Sequence, residues 1–362
     1  MKRSTIKIGA LLSLVLLIGT FTSCKNTSKS TENEVTTVAE NTSEFENTTT
    51  LEARKPIVFI TGYDKGGNKF YSNARNYFKN KEYQIVDETY SLEEIINWMN
   101  SNATKNPYGE IHIVNYNNPF KSMSLETTIK GEKVTLSNLQ TTIHQAKLPT
   151  LKNVVTSKTN IVFHSQALGE KTALMNTLKD VFVAEEVPNV IASPFYNIFG
   201  GEFKKHYLAQ PYYVFYPTAH SPGKVDLSKE IAKKYANEKD INWFAALNNK
   251  KERYIGEPYT VQYNVPVKWE IDYTNSDNEI PTFTSQEAIM DWIEAEEDLN
   301  SELIEMGIIV DKFRWSWKVK NSKLTIKGKT TVLCVLKPLI KPYGDLEHIE
   351  PDTKNKRLYA MK

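Results

Sequence analysis

Apolar and polar positions divide the chain into three stretches of different character. Lys2, Arg3 and Lys7 precede an apolar run over residues 8–19, which ends at Thr20, Thr22 and Ser23. That run is too short to cross ~30 Å of hydrocarbon, which takes roughly 20 apolar residues, and a basic start before a short apolar run is the layout of an export signal. Residues 25–54 are mostly Thr, Asn, Ser and Glu, with Phe45 the only aromatic side chain. A stretch of that kind cannot bury enough apolar surface to fold, so it is expected to be a disordered tether.

From Pro56 onward, short apolar runs alternate with helical periodicity. Strands are predicted over residues 56–61, 83–86, 111–114, 160–163 and 190–192. Between them helices are predicted over 70–79, from the capping box Ser91-Leu92-Glu93-Glu94 through Met99, over 137–146 and over 169–182, with a hairpin at 125–135. Strands alternating with helices imply an α/β fold: a mostly parallel sheet sandwiched by helices, because parallel neighbours need crossovers. Past residue 200 the pattern changes. A strand is predicted over 212–216, a long helix over 227–247 and alternating strands over 259–273, 313–319 and 324–336. A helix over 285–306 is closed by Gly307, where a left-handed cap is wanted. This part reads as a smaller α+β region with antiparallel strands. The expected division is a signal over 1–23, a tether over 24–54, the α/β domain over 55–225 and the α+β region over 226–362.

Charge narrows the partners. The whole chain carries +2, and Lys2, Arg3 and Lys7 fall in the signal, so 42 basic residues face 43 acidic ones after residue 23. That near-neutral sum predicts no basic field, hence no nucleic-acid partner and no polybasic contact with anionic lipid. The chain has two cysteines, Cys24 and Cys334. Cys334 lies in an apolar strand pattern beside Val332 and Leu336, which predicts an inert core thiol. His112, His144, His164, His206, His220 and His348 are scattered with no i, i+4 pair, so neither a metal nor another cofactor is expected.

The segment Phe21-Thr22-Ser23-Cys24 resembles the lipobox of bacterial lipoprotein signals. The resemblance implies that Cys24 is acylated and becomes the first residue of a lipid-anchored, extracytoplasmic protein, expected in the outer membrane of a Gram-negative bacterium. A second resemblance lies in the α/β part. Gly109 to Asn117, the hairpin around Gly131-Glu132-Lys133-Val134-Thr135, and Ile161-Val162-Phe163-His164-Ser165-Gln166-Ala167-Leu168-Gly169 together resemble the caspase and gingipain clan of cysteine peptidases. That clan carries a His-Gly at the end of one strand and a Cys at the end of the next. Here Tyr116 and Asn117 stand in the His-Gly places and Gln166 in that of the nucleophile. A carboxamide cannot ionise and a phenol with a pKa of about 10 stays protonated near pH 7. The resemblance therefore implies a caspase-like fold without peptidase chemistry: a non-catalytic binding or scaffold protein.

Carboxyl ends of strands at a topological switch are where open α/β sheets hold ligands. Tyr116, Asn117, Asn118, His164 and Gln166 are therefore the expected binding residues, for a peptide, protein or glycan. The competing expectation is a cell-envelope hydrolase with Ser165 as nucleophile, served by Asp226 and by His206 or His220. The elbow glycines of G-x-S-x-G are replaced by Phe163 and Ala167, and Ser165 as a helix N-cap is the plainer expectation. Residues 61–68 form a glycine-rich loop before a helix, a weak anion-binding signal. Trp269, Trp315 and Trp317 are candidates for a carbohydrate or peptide platform.

Overall fold

A computed structural model describes residues 54–273 and 279–362. The export signal, Cys24 and all of the expected tether except Arg54 lie outside the described residues. Leu51–Lys362 forms one compact unit that holds every core cluster found among the described residues. A chain beginning at Leu51 thus carries the whole fold described below.

The first half alternates as the periodicity predicts: β1 (Ile57–Ile60), α1 (Phe70–Asn80), β2 (Gln84–Val86), α2 (Leu92–Ser101), β3 (Glu110–Val114), α3 (Leu136–His144), β4 (Asn160–His164), α4 (Thr172–Val181) and β5 (Asn189–Ala192). The strands pair in parallel in the order β2-β1-β3-β4-β5. Both faces are covered, which is why strands such as Ile57-Val58-Phe59-Ile60 read as unbroken apolar runs. Ile57, Phe59, Ile111, Ile113, Ile161 and Phe163 face α2, α3 and α4. Val58, Ile60 and Val114 face Phe70, Ala74 and Phe78 of α1. Ser91 caps α2 as read, its Oγ accepting from Glu94 N at 3.1 Å, while the Glu94 carboxylate reaches one residue further back than in a standard capping box and accepts from Tyr90 N at 2.8 Å. α4 starts three residues later than expected. A Cβ on Gly169 would stand 2.5 Å from Pro194 N, and Gly169 N donates to Ser193 O at 2.9 Å, so this stretch is held flat against the chain beyond β5.

The second sheet is antiparallel and is built from β6 (Tyr196–Phe199), β7 (His206–Phe215), β8 (Tyr259–Asp272), β9 (Arg314–Lys320) and β10 (Lys323–Pro338), with α5 (Lys224–Lys234) and α6 (Trp243–Asn248) before β8 and α7 (Gln286–Ala295) and α8 (Glu297–Met306) before β9. β10 is its spine, pairing β8 along one side and β9 and then β7 along the other. The last strand, β11 (Ala360–Met361), returns to the first sheet and lies antiparallel beside β5. Two predicted helices are each broken. Residues 227–247 divide into α5 and α6, the latter capped by the Asn242 side chain. Residues 285–306 divide at Glu296, whose φ of −85° and ψ of 103° are extended. Ile289 and Ile293 anchor one half and Leu303 and Met306 the other, and the intervening Glu296, Glu297 and Asn300 offer no apolar stripe to hold a single rod together. Gly307 closes α8 at φ +69°, as expected.

The tryptophans are core, which corrects the platform expectation. Trp269 and Trp315 are buried and stack at 5.4 Å; their indole N–H groups donate to Glu302 Oε2 at 2.5 Å and to Val310 O at 3.0 Å. Trp317 packs half-buried against the same cluster. Gly328 makes room for this stack, since a Cβ there would stand 2.4 Å from the Trp315 ring and 2.7 Å from Val267 Cγ2. Gly328→Ala is expected to lower stability by about 1–3 kcal/mol through overpacking, read as a shift of the urea midpoint at unchanged slope. An unshifted midpoint would show that the stack yields without cost.

The solvent face of the same strands holds a surprise for the charge argument. Rows across the sheet place Lys320, Lys323 and Asp272 together, then Lys318, Thr325 and Glu270, then Ser316, Lys327 and Lys268, then Arg314, Lys329 and Pro266. The whole-chain sum predicted no basic field, yet strand alternation collects seven cations and two acids on one face, because every second residue of β9 and of the first half of β10 turns outward. α5 and α6 cover the far half of β10, packing Leu227, Ile231 and Trp243 on Val335, and leave this half open.

Candidate functional site at the strand ends

The strand order reverses between β1 and β3, so the carboxyl ends of those strands flank the switch point where a crevice is expected. Here the gap is closed by the protein's own side chains. Thr61 Oγ1 donates to Val114 O at 2.9 Å and accepts from Asn115 Nδ2 at 2.8 Å, while Asn115 Oδ1 accepts from Ser124 N at 3.2 Å. Tyr71 lies over Gly62 and its hydroxyl accepts from Tyr116 N at 2.9 Å. The glycine-rich loop supplies its own anion. The Asp64 carboxylate accepts from Tyr71 N at 2.8 Å and from Ser72 N at 3.2 Å, filling the N-terminal end of α1 where an outside phosphate would sit.

Val114 pairs with His164, so Tyr116 and Gln166 each stand two residues past the paired ends of neighbouring strands. The bond that spans those ends is made by Asn117, not Tyr116. Asn117 Nδ2 donates to Gln166 O at 2.8 Å, and Asn117 Oδ1 accepts from Gln166 N. The Gln166 side chain repeats the device one step on, its Nε2 donating to Asn197 O at 3.0 Å and its Oε1 accepting from Asn197 N at 2.7 Å. Asn197 belongs to β6, so this carboxamide acts as a short strand that stitches the parallel sheet to the antiparallel one. Gln286 does the same for the free edge of β9, clasping both the N–H and the C=O of Trp315 at 2.9 Å. Asn117, Gln166 and Asn197 are buried at 4 %, 2 % and 0 % exposure, which leaves them no face for a ligand.

Of the other expected binding residues, Tyr116 packs against its neighbours and Asn118 is tied to β8 at the surface. Tyr116 is half-buried, its ring 5.2 Å from Phe70, and burial raises its pKa. Asn118 Nδ2 donates to Asn264 O at 3.0 Å and Lys121 Nζ to Pro266 O at 2.8 Å, covering the edge of β8. A narrow cleft between Asn118, Lys121, Thr135, Lys171 and Glu305 is what remains open there.

His164 points to the opposite side, among buried rings beneath α1. Its Nε2 is 2.9 Å from His112 Nδ1, and the two rings stack at 5.1 Å. His206 completes the group 5.6 Å away, stacked on Phe199 at 4.3 Å with its Nε2 3.2 Å from Asn197 Oδ1. Burial, with His112 and His206 nearby, holds His164 well below the usual histidine range; burial takes His206 down to about 3. His112 Nε2 lies 3.3 Å from Glu110 Oε1 without the alignment of a hydrogen bond, and His164 Nδ1 has no partner. The sequence pattern hinted at this group, since His112 shares a strand face with Val114, and His164 with Val162.

Ser165 is fully buried and its Oγ bonds to nothing; the cap of α4 falls at Lys171, so the expectation that Ser165 caps the helix is corrected. Its proposed helpers are engaged elsewhere or lie at the surface. Asp226 is an exposed partner of Lys229, His220 is exposed, and His206 is taken up by Asn197. Cys334 faces Val332 and Leu336 in the core, and burial pushes its thiol up to about 12. Among the described residues no three His, Cys, Asp or Glu side chains are arranged to hold a metal ion, and no helix is long and apolar enough to cross a membrane. A search of family models, of curated proteins and of solved structures finds no match to this chain.

Proposed function

We propose that this protein is a membrane-anchored extracytoplasmic lipoprotein whose α/β unit is a non-catalytic scaffold of caspase-like layout. The observation that carries the reading is the use made of Gln166. In the place that the resemblance gives to a clan peptidase's nucleophile, this chain has a carboxamide whose nitrogen and oxygen are both bonded to the backbone of Asn197. Such a group cannot form a covalent intermediate, and freeing it would uncover two buried backbone groups. The anchoring half rests on the lipobox-like Phe21-Thr22-Ser23-Cys24.

Two measurements test the halves separately. Expressed in a bacterial host with labelled palmitate, the full chain is expected to incorporate label that Cys24→Ala removes; incorporation unchanged by that substitution would end the lipoprotein reading. Offered a fluorophosphonate and a thiol-directed probe, the Leu51–Lys362 unit is expected to remain unlabelled. Labelling abolished by Ser165→Ala or by Cys334→Ala would establish a hydrolase in its place.

A further inference from the structure

We propose that the open outer face of β8, β9 and β10 docks the protein against an anionic lipid surface. Arg314, Lys318 and Lys320 of β9, Lys323, Lys327 and Lys329 of β10 and Lys268 of β8 share this face. Glu270 lies within ion-pair reach of Lys268 at 2.5 Å and of Lys323 at 3.7 Å, so the acids offset one end of the array and leave the Lys318, Lys327, Lys329 and Arg314 end strongly positive. With strands about 4.8 Å apart and same-face neighbours about 6.7 Å apart, the four rows span an area of about 10 by 20 Å.

The shape of the face selects among polyanions. Its pairing runs without a bulge through all four rows; the one register shift of β10 lies further on, at Val335 and Leu336. The array is therefore a continuous ribbon with no groove to hold a single acidic strand. Between the cations stand Ser316, Thr325 and Pro266, with no aromatic ring on which a nucleic-acid base could stack. All the aromatic side chains of β9 turn the other way, as Trp315 and Trp317. What is left is charge presented in two dimensions, which matches the phosphates of a bilayer surface, where each Lys or Arg contributes additively within a Debye length. The inference gains from the anchoring proposed at Cys24, because one acylated residue and one basic patch together hold more firmly than either alone. The contact itself does not need the anchor.

The test uses the Leu51–Lys362 unit, which lacks Cys24, and sedimentation with vesicles of phosphatidylcholine alone or with about one third phosphatidylglycerol. Binding to the anionic vesicles alone is expected, weakened at least about tenfold by raising NaCl from 50 to 500 mM. The triple variant Lys318→Glu, Lys327→Glu, Lys329→Glu is expected to lose binding at least about thirtyfold while its thermal midpoint stays near that of the unaltered chain. A matched control, Lys105→Glu, Lys147→Glu, Lys158→Glu, carries the same charge change on exposed loops of the other sheet and is expected to bind nearly as the unaltered chain does. No binding to anionic vesicles, or equal loss in both triple variants, overturns the proposal. So does preferential capture by a soluble acidic polysaccharide or by duplex DNA with the vesicles left unbound. Failure here would leave the palmitate experiment on Cys24 untouched, so the two readings fall separately.

Discussion

Gln166→Glu is expected to cost about 3 kcal/mol of stability near pH 7, although it changes one amide to an isosteric carboxylate. The wild-type Nε2 donates to Asn197 O and the Oε1 accepts from Asn197 N, at 2 % exposure. A carboxylate keeps the acceptor and loses the donor, and it turns a second oxygen toward the Asn197 carbonyl at about 3 Å with no water to screen it. Gln166→Leu, which has no charge to bury, is expected to lose about 2 kcal/mol by leaving both Asn197 backbone groups unpaired. The ordering of the two variants is what separates a clamp from a filler.

The glutamate variant also has a pH signature. Burial raises the folded-state pKa of the new carboxyl above the unfolded value of about 4.3, so between those two values the folded state holds more protons than the unfolded one. Stability then falls as pH rises, and the deficit relative to wild type should shrink as pH drops from 7 towards 4.5. Urea titrations of the two proteins at matched pH read that difference directly, and taking the difference cancels acid effects common to both. A glutamate variant within about 0.5 kcal/mol of wild type at pH 7 would mean that Gln166 does not join the sheets as described.

What could be read from the sequence follows from which interactions are local. The five parallel strands were legible because a sheet covered on both faces must be apolar throughout, and the starts of α2 and α8's closing Gly307 were legible because caps are fixed within a few residues. β6 and β11 were not, since each is defined by what it pairs with: Tyr196-Asn197-Ile198-Phe199 has no alternation to read, and β11 is two residues laid beside β5. The carboxamide clamps were invisible for the same reason. Gln166 looks like any loop residue until Asn197, 31 positions on, is brought against it. The basic face is the opposite case. Its period-2 lysines in Lys318-Val319-Lys320 and Lys327-Gly328-Lys329 are plain in the sequence, and a charge total taken over the whole chain hides them.

The same burial that removes His206 from any ligand makes the fold labile to acid. His206 titrates at about 3 in the folded protein against about 6.5 in an unfolded chain, so below pH 6.5 the unfolded state takes up a proton that the folded state refuses. Its contribution is whole above pH 6.5 and is lost as pH falls towards 3, at about 1.4 kcal/mol per pH unit, or about 2 kcal/mol by pH 5. His164 adds to the loss in the same direction, because its pKa too is held down by burial and by His112 and His206. Glu110 lies beside His112, and Lys81 and Lys204 further disfavour a proton on His206. His206→Phe should keep the stack on Phe199 and lose the contact with Asn197, so it is expected to be less stable than wild type at pH 7.5. Its stability should nevertheless fall less steeply between pH 7 and 5, by up to about 1.4 kcal/mol per unit. Equal slopes for the two proteins would show that the buried imidazole is not what refuses the proton.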